Sequence, residues 1–209
     1  MESLFLPGWG APASLYAPML PPQWTALEPP TFAASGGALS AYVRWLSAQL
    51  SARGAAVVGG HSMGAALGLL AAAVEPGRVA RLVLVSPAGL PLSKPIHRSA
   101  ADFGRQLLRG IYPPRDLASG IAALARAPRA AFRLAHEVRS LDLRRECVSV
   151  RRHGVPALVI GCRSDSLVRT ENARLLARLL GADYVELDSP AGHMWMLTEP
   201  ARFTELLAR

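Results

Sequence analysis

The residues with the clearest chemical potential stand at Gly60-His61-Ser62-Met63-Gly64. The β-branched pair Val57-Val58 leads into this G-x-S-x-G pattern, and a small-residue run from Ala65 to Ala73 follows it. That order reads as strand, sharp turn and helix, with a serine on the turn. Gly60 and Gly64 let strand and helix come close, and the tight turn lifts the Ser62 hydroxyl clear of the sheet edge. A serine hydroxyl is a poor nucleophile near neutral pH until a base takes its proton, and the base needs a carboxylate to orient it. Reactive groups of open α/β sheets collect at the carboxyl ends of strands. Two later strand ends carry suitable partners. Asp165 follows the apolar run Pro156–Gly161, and His193 follows Tyr184–Leu187. The chain order is Ser62, Asp165, His193, with Asp188 as a rival acid.

The elements that must position these residues are legible as a rhythm. Ser3–Leu6, Trp24–Leu27, the Val57 run, Leu82–Val85, Pro156–Gly161 and Tyr184–Leu187 read as six strands. The runs without apolar–polar alternation suit parallel strands covered on both faces. Helical patterns lie between them at Ser40–Leu50, from Ala65 to about Val74, at Thr170–Leu180 and at Pro200–Leu207, which implies right-handed β-α-β crossovers. A short helix is expected within Ala13–Leu20 and loop over Ala33–Gly37. The fold class is therefore α/β, with a mostly parallel sheet. Residues 91–153 break the rhythm. They are helical in pattern, interrupted at Pro113-Pro114 and Pro128, and divide a core of residues 1–90 and 154–209.

At this point the sequence resembles the α/β-hydrolase superfamily, on Gly60-His61-Ser62-Met63-Gly64, on Asp165-Ser166-Leu167-Val168 and on Ala191-Gly192-His193. The resemblance implies a three-layer sheet and a serine esterase chemistry. Ser62 would be the nucleophile, His193 the general base and acid, and Asp165 the orienting carboxylate. The oxyanion hole would be formed by the backbone N–H groups of Met63 and Trp9. The latter lies in Pro7-Gly8-Trp9-Gly10, where the family usually has histidine at the position of Pro7. Gly8-Trp9-Gly10 is also similar to the loop of the pimeloyl-carrier-protein methyl ester esterases of biotin synthesis. Trp9, Met63 and Trp195 are the expected substrate-pocket residues, with Met194 beside them. The family sheet usually begins with two further strands, so this chain reads as N-terminally short, with a truncated sheet edge open to self-association.

The resemblance places a helical lid at 91–153, with Phe103, Leu107, Leu108, Ile111, Tyr112, Ile121, Leu124, Phe132 and Leu134 as its apolar underside. Charge points to the same segment. Of the chain's net +8, the residues from Pro91 to Arg152 account for all, with 13 Lys/Arg against five acids. Such a surface suits an acidic acyl carrier protein, coenzyme A or an anionic membrane face, while the absence of any recognition motif argues against nucleic acid. The expected activity is hydrolysis of a small acyl ester through an acyl-enzyme. The alternatives are a carrier-protein or coenzyme A ester or thioester hydrolase, a catalytically silent binding protein on the same fold, or C–C hydrolysis, lyase or perhydrolase chemistry. A dehalogenase would need a carboxylate at position 62.

Bulk properties agree with a folded enzyme. With 51% hydrophobic and 18% charged residues, the 209-residue chain can bury one sizeable core. No apolar run reaches the roughly 18 residues of a membrane span, and the start lacks the basic region of a signal peptide. Cys147 and Cys162 form neither a disulfide framework nor a metal-ligand spacing. The expectations are therefore a cytoplasmic protein, no cofactor and no metal. His97, His136 and His153 are read as solvated, His61 as structural and Ser86 as a polar strand end.

Overall fold

Alternation along the strands sorts the core. In the computed structural model, which describes residues 2–92, 94, 98, 101–102, 104–105 and 111–209, six parallel strands form one sheet. They are β1 (Ser3–Leu6), β2 (Trp24–Ala26), β3 (Ala56–His61), β4 (Val79–Val85), β5 (Ala157–Cys162) and β6 (Asp183–Leu187), in the order β2-β1-β3-β4-β5-β6. Leu4, Leu82, Leu84 and Val159 point to one face, and Phe5, Val83, Val85 and Ile160 to the other. All eight are fully buried, which is why these strands read as uninterrupted apolar runs rather than alternating ones.

Four helices pack on the first face: α2 (Leu39–Arg53), α3 (Met63–Val74), α6 (Arg144–Arg152) and α7 (Thr170–Leu180). The second face is closed by α8 (Pro200–Ala208) together with the short helical turns at Ala13–Leu15, Ala17–Met19 and Gly192–Leu197. The helix expected within Ala13–Leu20 is thus two 3-10 turns, each begun at or beside a proline, Pro12 for the first and Pro18 for the second. Over Ala33–Gly37 the expected loop is corrected to a single helical turn, α1 (Phe32–Ser35). The Thr31 hydroxyl accepts from the Ala34 amide at 3.2 Å and caps it, and burial of Phe32 holds it down. Within residues 91–153 the breaks at Pro113-Pro114 and Pro128 delimit two amphipathic helices, α4 (Pro114–Arg126) and α5 (Pro128–Ser140). Cys147 and Val150 of α6 are buried in the first core, alongside α3 and α7. His97, Phe103, Leu107 and Leu108 lie outside the described residues.

The β3–α3 turn is closely packed. A Cβ on Gly64 would stand 2.1 Å from the Leu6 carbonyl oxygen, and one on Gly60 would stand 2.4 Å from the Gly64 carbonyl carbon. Ser62 between them sits at φ 54°, ψ −112°, a conformation that side chains avoid. Its amide donates to the Val85 carbonyl at 2.9 Å and its carbonyl accepts from Ala66 and Ala88, so the sheet holds the strained residue in place.

At the β6 edge, Glu186 gathers Arg174, Arg163, Tyr184 and Thr170. Hydrogen bonds from Arg174 and then Arg163 pull its carboxyl from 4.5 down to about 2. Because the folded-state pKa is depressed, the unfolded chain takes up this proton first as pH falls. The cluster therefore stabilises fully above pH 4.5 and loses its contribution toward pH 2. Glu186→Gln is expected to lower Tm by about 2–4 °C at neutral pH, with the gap to the wild type closing toward the acid end. Thermal melts across pH test this, and a gap independent of pH would contradict it.

Candidate active site

The carboxyl ends of β1, β3, β5 and β6 deliver their loops to one cavity of about 410 Å³. Ser62 and His193 both line it. Trp9 lines it as well, from the loop after β1, while Tyr112, Leu117, Ile121, Leu124, Phe132 and Val138 line it from α4, α5 and the residues before them. The lining is predominantly apolar, with Asp116 and Arg139 as its acid and arginine beside His61 and His193. Asp116 accepts a hydrogen bond from the Ser14 hydroxyl at 2.6 Å, which joins α4 to the N-terminal loops.

Asp165 and His193 meet. Nδ1 of His193 stands 2.7 Å from Oδ2 of Asp165, and both side chains are buried. The other carboxylate oxygen accepts the amides of Leu167 and Val168, each at 2.9 Å. Two backbone donors on Oδ1 leave Oδ2 aimed at the ring, so the loop after β5 fixes the carboxylate's orientation. Gly192 lets the two loops approach: it has φ 64°, and a Cβ there would stand 2.9 Å from the Ser164 carbonyl oxygen. Asp188, the rival acid, points away. Its carboxylate pairs with Arg163 at 3.1 Å and is 72% exposed.

Met63 is the first residue of α3, where amides have no partner within the helix. The Trp9 indole N–H donates to the Ala131 carbonyl of α5 at 3.0 Å, and its ring packs 5.5 Å from that of Phe32. Two of the expected pocket residues are placed elsewhere. Met63 is buried in the first core and is absent from the cavity lining. Trp195 is also absent from it: the ring is fully buried in the second core, 5.8 Å from Phe203. Its direction follows from the Gly192–Leu197 turn, which sends Met194 to the cavity and Trp195 toward α8. From the expected apolar underside, Tyr112, Ile121, Leu124 and Phe132 line the cavity, Ile111 packs on the second core, and Leu134 is buried in the first.

Sequence reasoning did not single out Tyr16. Its hydroxyl lies 2.8 Å from Nδ1 of His61, whose Nε2 lies 3.0 Å from the His193 carbonyl oxygen. The rings of His61 and His193 are 4.5 Å apart. Burial, and then the charge His193 can carry, push the His61 imidazole well below its usual range, so it stays neutral. No local sequence signal links Tyr16 to the site, because the contact joins a turn after β1 to the end of β3, 45 residues away. Ser86 follows β4 at φ 43°, with its hydroxyl buried. His136 and His153 are exposed. Among the described residues no cluster of His, Cys, Asp and Glu could hold a metal ion, and no helix is long and apolar enough to cross a membrane.

A model of the alpha/beta hydrolase family matches residues 4–206. Solved structures share the fold at low identity. Est816, described as an N-acyl homoserine lactone degrading enzyme, is 20% identical with a TM-score of 0.77, the match covering 100% of this chain and 92% of that one. The enol-lactonase from Burkholderia xenovorans LB400 is 20% identical with a TM-score of 0.74, covering 100% and 90%. A membrane phospholipase A, described as a bacterial virulence factor, is 18% identical with a TM-score of 0.76, covering 99% and 78%. No curated protein matches the chain.

Proposed function

Because this chain belongs to the alpha/beta hydrolase family, we propose that it is a serine hydrolase that cleaves carboxylic esters through an acyl-enzyme. The observation that carries the reading is the 2.7 Å contact between His193 and Asp165, set beside a strained Ser62 on a shared cavity. With its Nδ1–H donated to Asp165, His193 is the tautomer whose Nε2 is free of a proton and can take one from the Ser62 hydroxyl. The Ser62 oxygen then attacks the ester carbonyl, and the oxygen of the tetrahedral intermediate is held by the N–H groups of Met63 and Trp9. Collapse breaks the bond to the alkoxy group, which leaves as the alcohol with the proton from His193. Water, deprotonated by the same imidazole, releases the acid and restores Ser62.

The apolar lining favours an ester whose acyl or alcohol part is uncharged and of modest size. Helices α4 and α5 act as the lid and shape that choice. Two of the similar structures are named for lactones, which are cyclic esters, and a third for phospholipids, which carry ester bonds. These likenesses support the ester class without selecting a substrate. A fluorophosphonate probe is expected to label Ser62, and a panel of esters and thioesters of increasing chain length then ranks the acyl groups. Failure of the probe to label Ser62 would point instead to a silent binding protein.

A second reading, an acidic acyl carrier or coenzyme A as the acyl donor, is favoured by Arg115, Arg126 and Arg129. They lie on the helices that line the cavity, and none has a carboxylate partner among the described residues. Charge reversal of Arg126 and Arg129 to Glu is expected to weaken binding of an acidic acyl carrier protein by about 10-fold or more and to flatten its salt dependence. Turnover of short neutral esters should be unchanged. Unaltered carrier binding would remove this reading.

A further inference from the structure

The structure assigns His61 and Tyr16 as a positioning pair that ties the backbone of the His193 loop to the oxyanion loop; this rests on the serine-hydrolase reading above. The direction of every proton in the pair follows from one acceptor. The His193 carbonyl oxygen can only accept, so Nε2 of His61 carries the hydrogen in their 3.0 Å contact. In a neutral ring Nδ1 is then the acceptor, and the Tyr16 hydroxyl donates to it at 2.8 Å. The same phenol oxygen accepts the Gly8 amide at 3.4 Å. Burial pushes the Tyr16 phenol far above its usual range, so it does not lose the proton it donates. The chain of bonds therefore runs one way, from the Gly8 amide through Tyr16 and His61 to the His193 carbonyl.

Packing reinforces the bonds. A Cβ on Gly8 would stand 3.0 Å from Nδ1 of His61, so the loop that presents the Trp9 amide rests directly on the imidazole. The same ring lies against that of His193, with centroids 4.5 Å apart and planes tilted by 49°. One buried, neutral side chain thus separates the general base from the oxyanion loop and holds both. Loop displacement of about 1 Å is enough to cost about 100-fold in rate, so the pair acts on the chemical step and not on substrate affinity.

The test uses four single variants of the full chain, one double variant and one spectroscopic measurement. His61→Phe keeps a ring but removes both hydrogen bonds, and is expected to lower kcat by about 10- to 100-fold with KM within about twofold. His61→Gln places an amide N–H where Nε2 stood and should recover most of that kcat. His61→Asn places its polar atoms nearer Nδ1, away from the His193 carbonyl, and should not. Tyr16→Phe should lower kcat less than His61→Phe and add nothing in the His61→Phe background, since the relay is already broken. Imidazole 15N shifts of the resting wild type should show His61 with Nε2 protonated and Nδ1 unprotonated at neutral pH, with the Nδ1 resonance moved by Tyr16→Phe.

Wild-type kcat in a folded His61→Phe protein, equal behaviour of the Gln and Asn variants, or additive losses would each overturn the assignment. So would an Nδ1-protonated or doubly protonated His61, a result that does not depend on turnover or on any variant folding. If the 15N shifts match and Ser62 resists fluorophosphonate, the hydrolase reading fails while the hydrogen-bond relay stands.

Discussion

Ser62→Ala is expected to reduce ester turnover by about 10⁴- to 10⁶-fold, with the protein still folded. The size of the loss follows from the proposed mechanism. The variant keeps the cavity, the backbone amides and the His193–Asp165 pair, so binding survives while acyl transfer does not. The backbone at position 62 makes a second measurement informative. Its φ of 54° is imposed by the β3–α3 turn and penalises any side chain, alanine included. Ser62→Gly relieves that penalty, and should be more stable than Ser62→Ala by about 1–3 kcal/mol in denaturant titration. Together the two variants separate chemistry from strain. Both should be inactive, and only the glycine should gain stability. Turnover retained in a purified Ser62→Ala protein, free of contaminating esterase, would refute the nucleophile assignment outright.

Asp165→Asn is expected to cost about 10⁴-fold in kcat, through the wrong tautomer of His193 rather than through a lost shape. Oδ1 of Asp165 accepts from the amides of Leu167 and Val168, and those donors will keep the oxygen of the substituted amide. The amide nitrogen is thereby turned toward Nδ1 of His193, where it can only donate. To accept it, Nδ1 must lose its hydrogen, which moves to Nε2. An Nε2–H cannot take the proton of Ser62. The 15N shifts of His193 should report this exchange directly, and thermal stability should change little. Asp188→Asn is the control: its carboxylate is exposed and paired with Arg163, so kcat should stay within about twofold. Loss of activity in the Asp188 variant with retention in the Asp165 variant would reverse the assignment of the acid.

Much of the fold was legible because it is encoded by neighbours in sequence. The parallel strands announce themselves as apolar runs, since each must bury both its faces. The β3–α3 turn is readable from Gly60, Ser62 and Gly64, since the steric demand acts within five residues. Strand-end logic also nominated Asp165 and His193 without any knowledge of distance. The one-turn helix at Phe32–Ser35 was missed because a single turn has no periodicity to detect, and its cap is one threonine hydroxyl. Trp195 was misplaced because adjacent positions in a tight turn point in opposite directions. Whether a ring there meets the cavity or the core depends on where α8 docks.

What the sequence determined by itself was an ordered set of Ser, Asp and His residues at strand ends, the sheet that would carry them and the basic character of residues 91–152. Those properties depend on residue type, local sterics and burial periodicity. The tertiary structure alone decided which carboxylate meets His193, that Trp195 turns to the core, and that His61 joins Tyr16, 45 residues away, to the carbonyl of His193, 132 residues away. A hydrogen bond needs its donor and acceptor within a few tenths of an ångström and well aligned. That precision comes from how the loops pack against one another, and no pattern along a single segment contains it.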